Sequence, residues 1–211
     1  MSQKARENIL HKIQAALQTP TERPVPKPDF NAPIYALEHE HLAVEFVEVF
    51  KQNNGEFYYC ENKDELLDRL KLLVQQKNLE NIFAWELPLI EMLSESGIPF
   101  SQDDAGLLKV DAGITLCECM VARTGSLVVS SKQAAGRRLT IYPHIHIVVA
   151  YLSQLVPDIK DGLQLMQQRY GAQLPSMISM VTGPSRTADI EKTLVLGAHG
   201  PKELILLLVE D

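Results

Sequence analysis

The chain has 211 residues, of which 45% are hydrophobic and 22% are charged, and this composition is typical of a globular protein with a sizeable core. Its formal net charge is -7, which disfavours nucleic acid as a partner because acidic surfaces repel phosphates. The first residues, MSQKARENIL, carry early charges with no apolar stretch after them, and no apolar run approaches the length of a membrane span. We therefore expect a cytoplasmic protein with no membrane span.

Three cysteines, Cys60, Cys117 and Cys119, are too few and wrongly spaced for a disulfide scaffold. A four-thiolate iron–sulfur site needs one cysteine more, so this chain alone cannot build one. His144 and His146 are two apart on an apolar run and are predicted to point to the same side of a strand. With Cys117, Cys119 or His199 they could form a metal site, but no closed C-x-x-C or H-E-x-x-H pattern is present. We expect no metal and no cofactor in this chain.

The N-terminal residues predict an arm separate from the main domain. Residues 3–18 place Ile9, Ile13 and Leu17 at four-residue spacing, which predicts an amphipathic helix. Five prolines between residues 19 and 33 then favour extended chain. We assign residues 1–33 to this helix and linker and residues 34–211 to an α/β domain. The helix either packs on its own domain or docks on a partner or a second copy, so a homo-oligomer is possible.

Strand and helix alternate from residue 34 to residue 97. The pattern predicts a helix over 34–53, a strand at EFYYC, a helix at KDELLDRLKLLVQQK, a strand at NIFAW and a helix at LPLIEMLSES that Gly97 ends. Strand-like pieces follow from Leu107, with one further helix over 158–170. The runs LVV, HIVVA and LILLLV are continuously apolar, as in strands covered on both faces. The prediction is a three-layer α/β fold with a largely parallel sheet.

Five loops of the C-terminal half carry glycines, hydroxyls and arginines: ARTGSL, SSKQAAGRRL, YPHIHI, TGPSRTADIE and LGAHGP. Glycine lets backbone N–H groups approach an anion, and arginine offers a planar fork that fits carboxylate or phosphate. Since ligands of open α/β sheets bind where strands end, we predict that these loops converge on a small anionic molecule. The alternative is a set of ordinary turns with an ion-pair network around Arg186.

The catalytic residues stay unknown from sequence. Cys117 and Cys119 alternate on one predicted strand face, and Glu118 on the opposite face is a candidate acid or base. His199, between Gly197 and Gly200, is the other candidate. The chain has no complete G-x-G-x-x-G after a strand, no Walker A lysine motif and no G-x-S-x-G.

Two long strings carry a family resemblance. TGPSRTADIEKTLVLGAHGPKELILLLVE and MVARTGSLVVSS, followed by GRRLTIYPHIHIVV, resemble the C-terminal and central signatures of the LUD domain family, typified by lactate utilization protein C. The resemblance covers roughly residues 34–211. It implies a three-layer α/β fold similar to the ribose-5-phosphate isomerase and CoA-transferase class. It also implies a role in oxidising L-lactate to pyruvate, together with partner proteins that carry the iron–sulfur clusters.

The resemblance, together with the loop analysis, gives a candidate ligand-binding set. Its members are Thr124, Gly125, Ser126, Arg137, Gly183, Pro184, Ser185, Arg186, Thr187, Asp189, Glu191, Gly197, His199 and Gly200. Many members of the family have a carboxylate before the central Thr-Gly, where this chain has Arg123; if that position touches ligand, the substrate differs or the site shifts to Glu118. An alternative function is a free-standing enzyme or sensor for a small phosphorylated or CoA-linked carboxylic acid.

The sequence of the decapeptide TGPSRTADIE, residues 182–191, predicts a turn followed by a helix. Gly183 and Pro184 shape a turn, and Ser185 or Thr187 caps a helix whose first turn contains Asp189. Arg186 is then left free to meet a ligand.

Overall fold

The computed structural model describes residues 3–18, 41–190 and 193–211. The chain divides into two compact units, residues 1–37 and 38–211. The first unit contains helix α1 (Gln3–Gln18), which confirms the helix predicted there. The proline-rich segment and the predicted boundary between residues 33 and 34 lie outside the described residues, so the arm-and-linker assignment stays a prediction.

The second unit alternates helices and strands in the predicted order. The described helices are α2 (Leu42–Gln52), α3 (Lys63–Gln76), α4 (Leu87–Ser96) and α5 (Ile159–Tyr170). The described strands are β1 (Glu56–Cys60), β2 (Ile82–Ala84), β3 (Ala112–Leu116), β4 (Cys119–Val121), β5 (Ser126–Ser130), β6 (Ile145–Tyr151), β7 (Leu155–Val156), β8 (Ile178–Val181), β9 (Arg186–Ile190), β10 (Thr193–Leu196) and β11 (Glu203–Val209).

A parallel sheet of five strands, in the order β1-β11-β6-β3-β2, forms the centre of this unit. Its middle strands β6 and β11 are buried along almost their whole length, as their continuously apolar sequences predict. Helices α3 and α4 cover one face through Leu66, Leu70 and Leu93. The predicted α/β fold with a largely parallel sheet is confirmed.

The other face of the parallel sheet packs against α2 and a second, mixed sheet. This sheet has the order β7-β4-β5-β8, with antiparallel pairs on both sides of β5. Phe46 and Phe50 of α2 form one apolar cluster with Leu127 of β5 and Leu206 of β11. Helix α5 covers the outer face of the second sheet, where Met166 is fully buried. The sequence showed these strands as strand-like runs without assigning them to a second sheet.

Two local predictions were wrong because the chain turns where an unbroken strand was expected. Strand β6 begins only at Ile145, so His144 lies exposed in a turn while His146 is fully buried on the strand. A turn between β3 and β4 likewise separates the two neighbouring cysteines. Cys117 packs in the cluster of α2, whereas Cys119 packs beneath α5, so they do not share a strand face.

The decapeptide TGPSRTADIE does not begin a helix. After the turn at Gly183 the chain forms β9, which pairs antiparallel with β10. Ser185 and Thr187 therefore cap no helix, and the predicted helical position of Asp189 is wrong. The β-branched residues of TLVL and the alternating pattern of RTADI fit paired strands better than a helix.

Candidate functional site

The two loops that carry the strongest sequence signals meet at the carboxyl end of α2. We call this region the α2 junction and define it by Asn53, residues 124–126 and residues 182–186. Asn53 donates from Nδ2 to the Thr124 carbonyl oxygen at 3.1 Å. The buried Ser126 hydroxyl is 2.8 Å from Thr124 Oγ1 and 2.6 Å from Thr182 Oγ1. A continuous row of three hydroxyls therefore joins the two loops.

Glycine is required at the two turns of the α2 junction. Gly125 has a φ of 57°, and a Cβ there would lie 2.5 Å from the Phe50 backbone nitrogen. Gly183 has a φ of 86°, and a Cβ there would lie 2.2 Å from the Asn53 carbonyl oxygen. Positive φ values and close backbone approach both exclude a side chain. The Thr-Gly pairs therefore serve to bring two turns into direct contact with the end of α2.

Arg186 is exposed but is not left wholly free. Its Nη2 donates to the Asn53 carbonyl oxygen at 3.0 Å and to the Thr182 carbonyl oxygen at 3.5 Å. The positive guanidinium thus lies at the carboxyl end of α2, where the helix dipole favours a cation. Both hydrogen bonds use the same terminal nitrogen. Among the described residues, the other guanidinium nitrogens have no hydrogen-bond partner.

The LGAHGP loop lies beside the α2 junction through its backbone. Ser185 donates its backbone N–H to the Pro201 carbonyl oxygen at 2.8 Å, and Gly197 donates to the Ser185 carbonyl oxygen at 2.9 Å. A Cβ on Gly200 would lie 3.1 Å from Ser185 Cβ. The His199 side chain is exposed. The side chains of Asp189 and Glu191 lie outside the described residues, so their predicted role stays a prediction.

The α2 junction is at the amino-terminal edge of the parallel sheet. Helix α2 ends just before β1, and residues 182–201 precede β11. Lys202 donates its backbone N–H to the His144 carbonyl oxygen, which ties the starts of β11 and β6 together. Ligands of open α/β sheets usually bind at the opposite, carboxyl edge. The loops that the sequence singled out are therefore close together, but not at the edge where the general rule places a site.

The two arginines of the SSKQAAGRRL loop lie elsewhere. Arg137 is exposed and donates to Ser176 Oγ at 2.9 Å. Arg138 pairs with Asp104 at 2.6 Å, and its guanidinium carbon lies 4.6 Å from the centre of the Trp85 ring. Only Arg186 of the three contacts the α2 junction, so the five loops divide between two regions.

Glu118 is held by three donors. Its Oε1 accepts from Ser130 Oγ at 2.6 Å and from the Tyr170 hydroxyl at 2.7 Å, and its Oε2 accepts from Arg169. The carboxylate is 2% exposed. Burial and the bond to Glu118 raise the pKa of Tyr170. This network ties the start of the second sheet to the end of α5, which gives Glu118 a structural role and leaves its catalytic role a prediction.

Two titratable residues that the sequence analysis did not select are buried on the parallel sheet. Glu86 lies between β2 and α4, two residues after the end of β2, and is 6% exposed; burial raises its pKa to about 7. His146 is fully buried on β6 with Nε2 2.8 Å from Thr115 Oγ1, and burial lowers its pKa to about 4. The sequence did contain a signal for Glu86, because a carboxylate directly after a short apolar strand lies at the carboxyl edge of the sheet.

Comparison with known proteins identifies the family. The model of the LUD domain matches residues 43–209. The chain belongs to the LUD domain family.

Relatives of this LUD domain protein agree with that assignment. It is 27% identical to lactate utilization protein C of Halalkalibacterium halodurans over 89% of each chain. It is 26% identical to lactate utilization protein C of an Exiguobacterium species, over 98% of this chain and 96% of the relative. A crystal structure of a DUF162 family protein from Deinococcus radiodurans has the same fold, with a TM-score of 0.61 at 18% identity over 80% of this chain and 96% of the other.

Arg123, which directly precedes the central Thr-Gly pair, has a structural partner. Its Nη2 donates to Asp158 Oδ1 at 2.7 Å, and both side chains are largely buried. Asp158 is also the N-cap of α5 and accepts the Ile159 backbone N–H. Arg123 thus fastens the central Thr-Gly turn to the start of α5. In this member, the charge at that position serves the contact between the turn and α5.

Two further findings concern membrane spans and metal ligands among the described residues. Every helix within them is too short or too polar to cross a membrane. No three of their His, Cys, Asp or Glu side chains converge as metal ligands do.

Proposed function

We propose that this protein acts in L-lactate utilization as a subunit that supports oxidation of L-lactate to pyruvate. The membership of the LUD domain family carries the proposal, supported by relatives along nearly the whole chain that are named lactate utilization protein C. The chain has three cysteines, all buried and free. In this proposal the iron–sulfur clusters of the reaction therefore belong to partner proteins, and this subunit handles a small anion.

The anion binds at the α2 junction in this proposal. The supporting observation is that the Arg186 guanidinium and the row of hydroxyls at Thr124, Ser126 and Thr182 lie within one small region of an otherwise acidic protein. Arginine can bind a carboxylate through two parallel hydrogen bonds, and a hydroxyl can donate a third. The contact of Arg186 with the Asn53 carbonyl oxygen holds the guanidinium in place before the ligand arrives.

Thermal unfolding with a panel of anions tests the site. The panel contains L-lactate, pyruvate, phosphate, a sugar phosphate and CoA. A ligand present at about 100 times its dissociation constant stabilises the folded protein by about 2.7 kcal/mol, which gives a measurable rise in Tm. We expect this rise in the wild type and in Arg137→Gln, whose arginine lies away from the α2 junction, and a clearly smaller rise in Arg186→Gln. An equal rise in Arg186→Gln would place the site elsewhere.

Co-purification tests the proposed partners. Tagged protein from lactate-grown cells of its host should bring down proteins with the visible absorption of iron–sulfur clusters. Recovery of the tagged chain alone under anaerobic conditions would contradict a role as a subunit. A rise in Tm with a phosphate or CoA compound, combined with turnover of that compound by the isolated chain, would instead favour a free-standing enzyme.

A further inference from the structure

Trp85 Nε1, Glu86 Oε2 and His146 Nδ1 are buried without a hydrogen-bond partner in the described part of the protein. Buried polar groups in folded proteins almost always have a partner, so each exception requires a physical reason. Trp85 and Glu86 are the first two residues after β2, and His146 lies on β6, with β3 between these two strands. We call Trp85, Glu86, Thr115 and His146 the inner polar patch.

Strand register places Trp85, Thr115 and His146 on one face of the parallel sheet, and Glu86, the N-cap residue of α4, is placed there by its hydrogen bond from Ala135. Phe83 of β2 pairs with Gly113 of β3, and Gly113 pairs with His146 of β6. Since side chains alternate along a strand, Trp85 and Thr115, each two residues further on, share the face of Phe83 and His146. The face opposite carries α3 and α4. The patch therefore lies on the side of the second sheet, with Trp85 and Thr115 near the carboxyl ends of β2 and β3 and His146 near the start of β6.

Residues 131–143 cover the inner polar patch. Ala135 donates its backbone N–H to Glu86 Oε1 at 3.3 Å. A Cβ on Gly113 would lie 2.8 Å from the Leu139 carbonyl oxygen, so this segment lies directly on the strand. Ala135 and Leu139 form an apolar cluster with Phe83. The patch is thus a polar region with an apolar wall, closed by a single connecting segment.

The inner polar patch offers donors in a confined space. The Trp85 indole N–H can only donate. The pKa of Glu86 near 7 keeps a large fraction of its carboxyl group protonated at neutral pH, so that it donates as well as accepts. The His146 ring is neutral because burial depresses its pKa. Such donors match a ligand with several oxygen acceptors, and the cation of Arg138, stacked on the Trp85 ring, lies at the rim.

We propose that the inner polar patch is a second ligand site, which takes a small carboxylic acid with a hydroxyl or carbonyl oxygen on the neighbouring carbon. The carboxylate accepts from Trp85 near Arg138, and the neighbouring oxygen interacts with Glu86 and His146. Residues 131–143 must move to admit the ligand, because the three unpartnered atoms are enclosed. The location rests on the geometry alone, whereas the choice of acid rests on the proposed function.

Trp85 makes the site directly observable, because it is the one tryptophan in the chain. Titration of its fluorescence with L-lactate and with pyruvate should give a saturable change. Propionate, which has the same carbon chain without the extra oxygen, should give none. Glu86→Leu removes the carboxyl group and should weaken binding by about tenfold or more, whereas Glu86→Gln keeps one acceptor and one donor and should bind within about threefold.

The controls separate this site from the α2 junction. Arg186→Gln should bind within about twofold of the wild type, since that residue lies at the opposite edge of the sheet. Trp85→Phe, followed by calorimetry, should bind more weakly because it loses the indole N–H donor. No saturable fluorescence change, an equal response to propionate, or loss of the response in Arg186→Gln would overturn the proposal. Co-purification with iron–sulfur proteins is measured independently, so this failure would leave the proposed function standing.

Discussion

Glu86 and His146 are both buried on the parallel sheet, and burial moves their pKa values in opposite directions. Loss of hydration disfavours the charged form, which is the carboxylate for Glu86 and the imidazolium for His146. The pKa of Glu86 rises from 4.5 to about 7, and that of His146 falls from 6.5 to about 4. Their contributions to stability oppose each other between about pH 4.5 and 6.5, so single variants are needed to separate them.

Glu86 makes the folded protein less stable as the pH rises. The folded state holds the proton more tightly than the unfolded state, so the contribution is complete below about pH 4.5 and is lost as the pH rises through about 7. A shift of this size corresponds to about 3 kcal/mol. We expect Glu86→Gln to have the larger free energy of unfolding at pH 8, measured with urea, and a difference near zero at pH 4.5. Equal stability at pH 8 would contradict a buried, uncompensated carboxylate.

His146 has the opposite pH dependence. The unfolded state binds the proton more tightly, so the contribution is complete above about pH 6.5 and is lost as the pH falls through about 4. Urea unfolding of Glu86→Gln, which isolates this contribution, should show a loss of about 3 kcal/mol between pH 7 and pH 4. Replacing the exposed His144 by Gln in that background should leave the loss unchanged, whereas His146→Gln should abolish it. If His144→Gln and His146→Gln lost the same free energy between pH 7 and pH 4, the pH dependence would not come from His146.

At the scale of elements, the α2 junction depends on two turns that contact the end of a helix. Gly183 and Gly97 both have positive φ values, but only Gly183 meets backbone where a Cβ would be, since nothing lies within 4 Å of that position on Gly97. An alanine at Gly97 would therefore add backbone strain alone, whereas an alanine at Gly183 would add strain and a steric clash. Strain alone costs about 1 kcal/mol.

We expect Gly97→Ala to lose about 1 kcal/mol of unfolding free energy and Gly183→Ala to lose clearly more. Gly183→Ala should also reduce anion-induced stabilisation, because the turn must move away from Asn53. Chemical denaturation of the two variants, followed by the anion panel, provides the measurement. Similar losses in both variants would mean that the contact with α2 is not tight.

The sequence predicts an element well when nearby residues specify its start, its apolar pattern and its end. The helix over residues 87–96 was predicted to the residue, because an apolar period lies between Pro88 and a stop at Gly97. The strand EFYYC was equally clear. The hairpin of β9 and β10 was missed because the capping residues of TGPSR suggest a helix start, whereas pairing with the next segment decides the structure.

The candidate site could be predicted only in part. The Thr-Gly turns signalled a special backbone at Gly125 and Gly183, and the structure brings them together. The sequence could not show that Arg186 also bonds the end of α2, or that Arg137 lies apart, since both depend on contacts distant in sequence. Glu86 was missed because its environment is built by residues 131–143, about fifty positions away.

At the scale of the whole molecule, the order of the strands in the sheets predicts which strands are most protected from hydrogen exchange. Strands β6 and β11 each have two parallel neighbours and buried faces, whereas β9 and β10 pair only with each other among the described strands. Native-state hydrogen exchange should therefore be slowest in β6 and β11 and much faster in the β9–β10 hairpin. Anion binding at the α2 junction should slow exchange at residues 182–186. Equal protection throughout would contradict this order of stability.

Growth on L-lactate tests the central claim most directly. In a strain of the host that lacks this protein, the wild type and Arg137→Gln should restore growth with L-lactate as the carbon source. Arg186→Gln, produced at an equal level and folded, should not. Normal growth of the deletion strain on L-lactate, or full rescue by Arg186→Gln, would contradict the account that this LUD domain protein supports lactate oxidation through an anion site at the α2 junction.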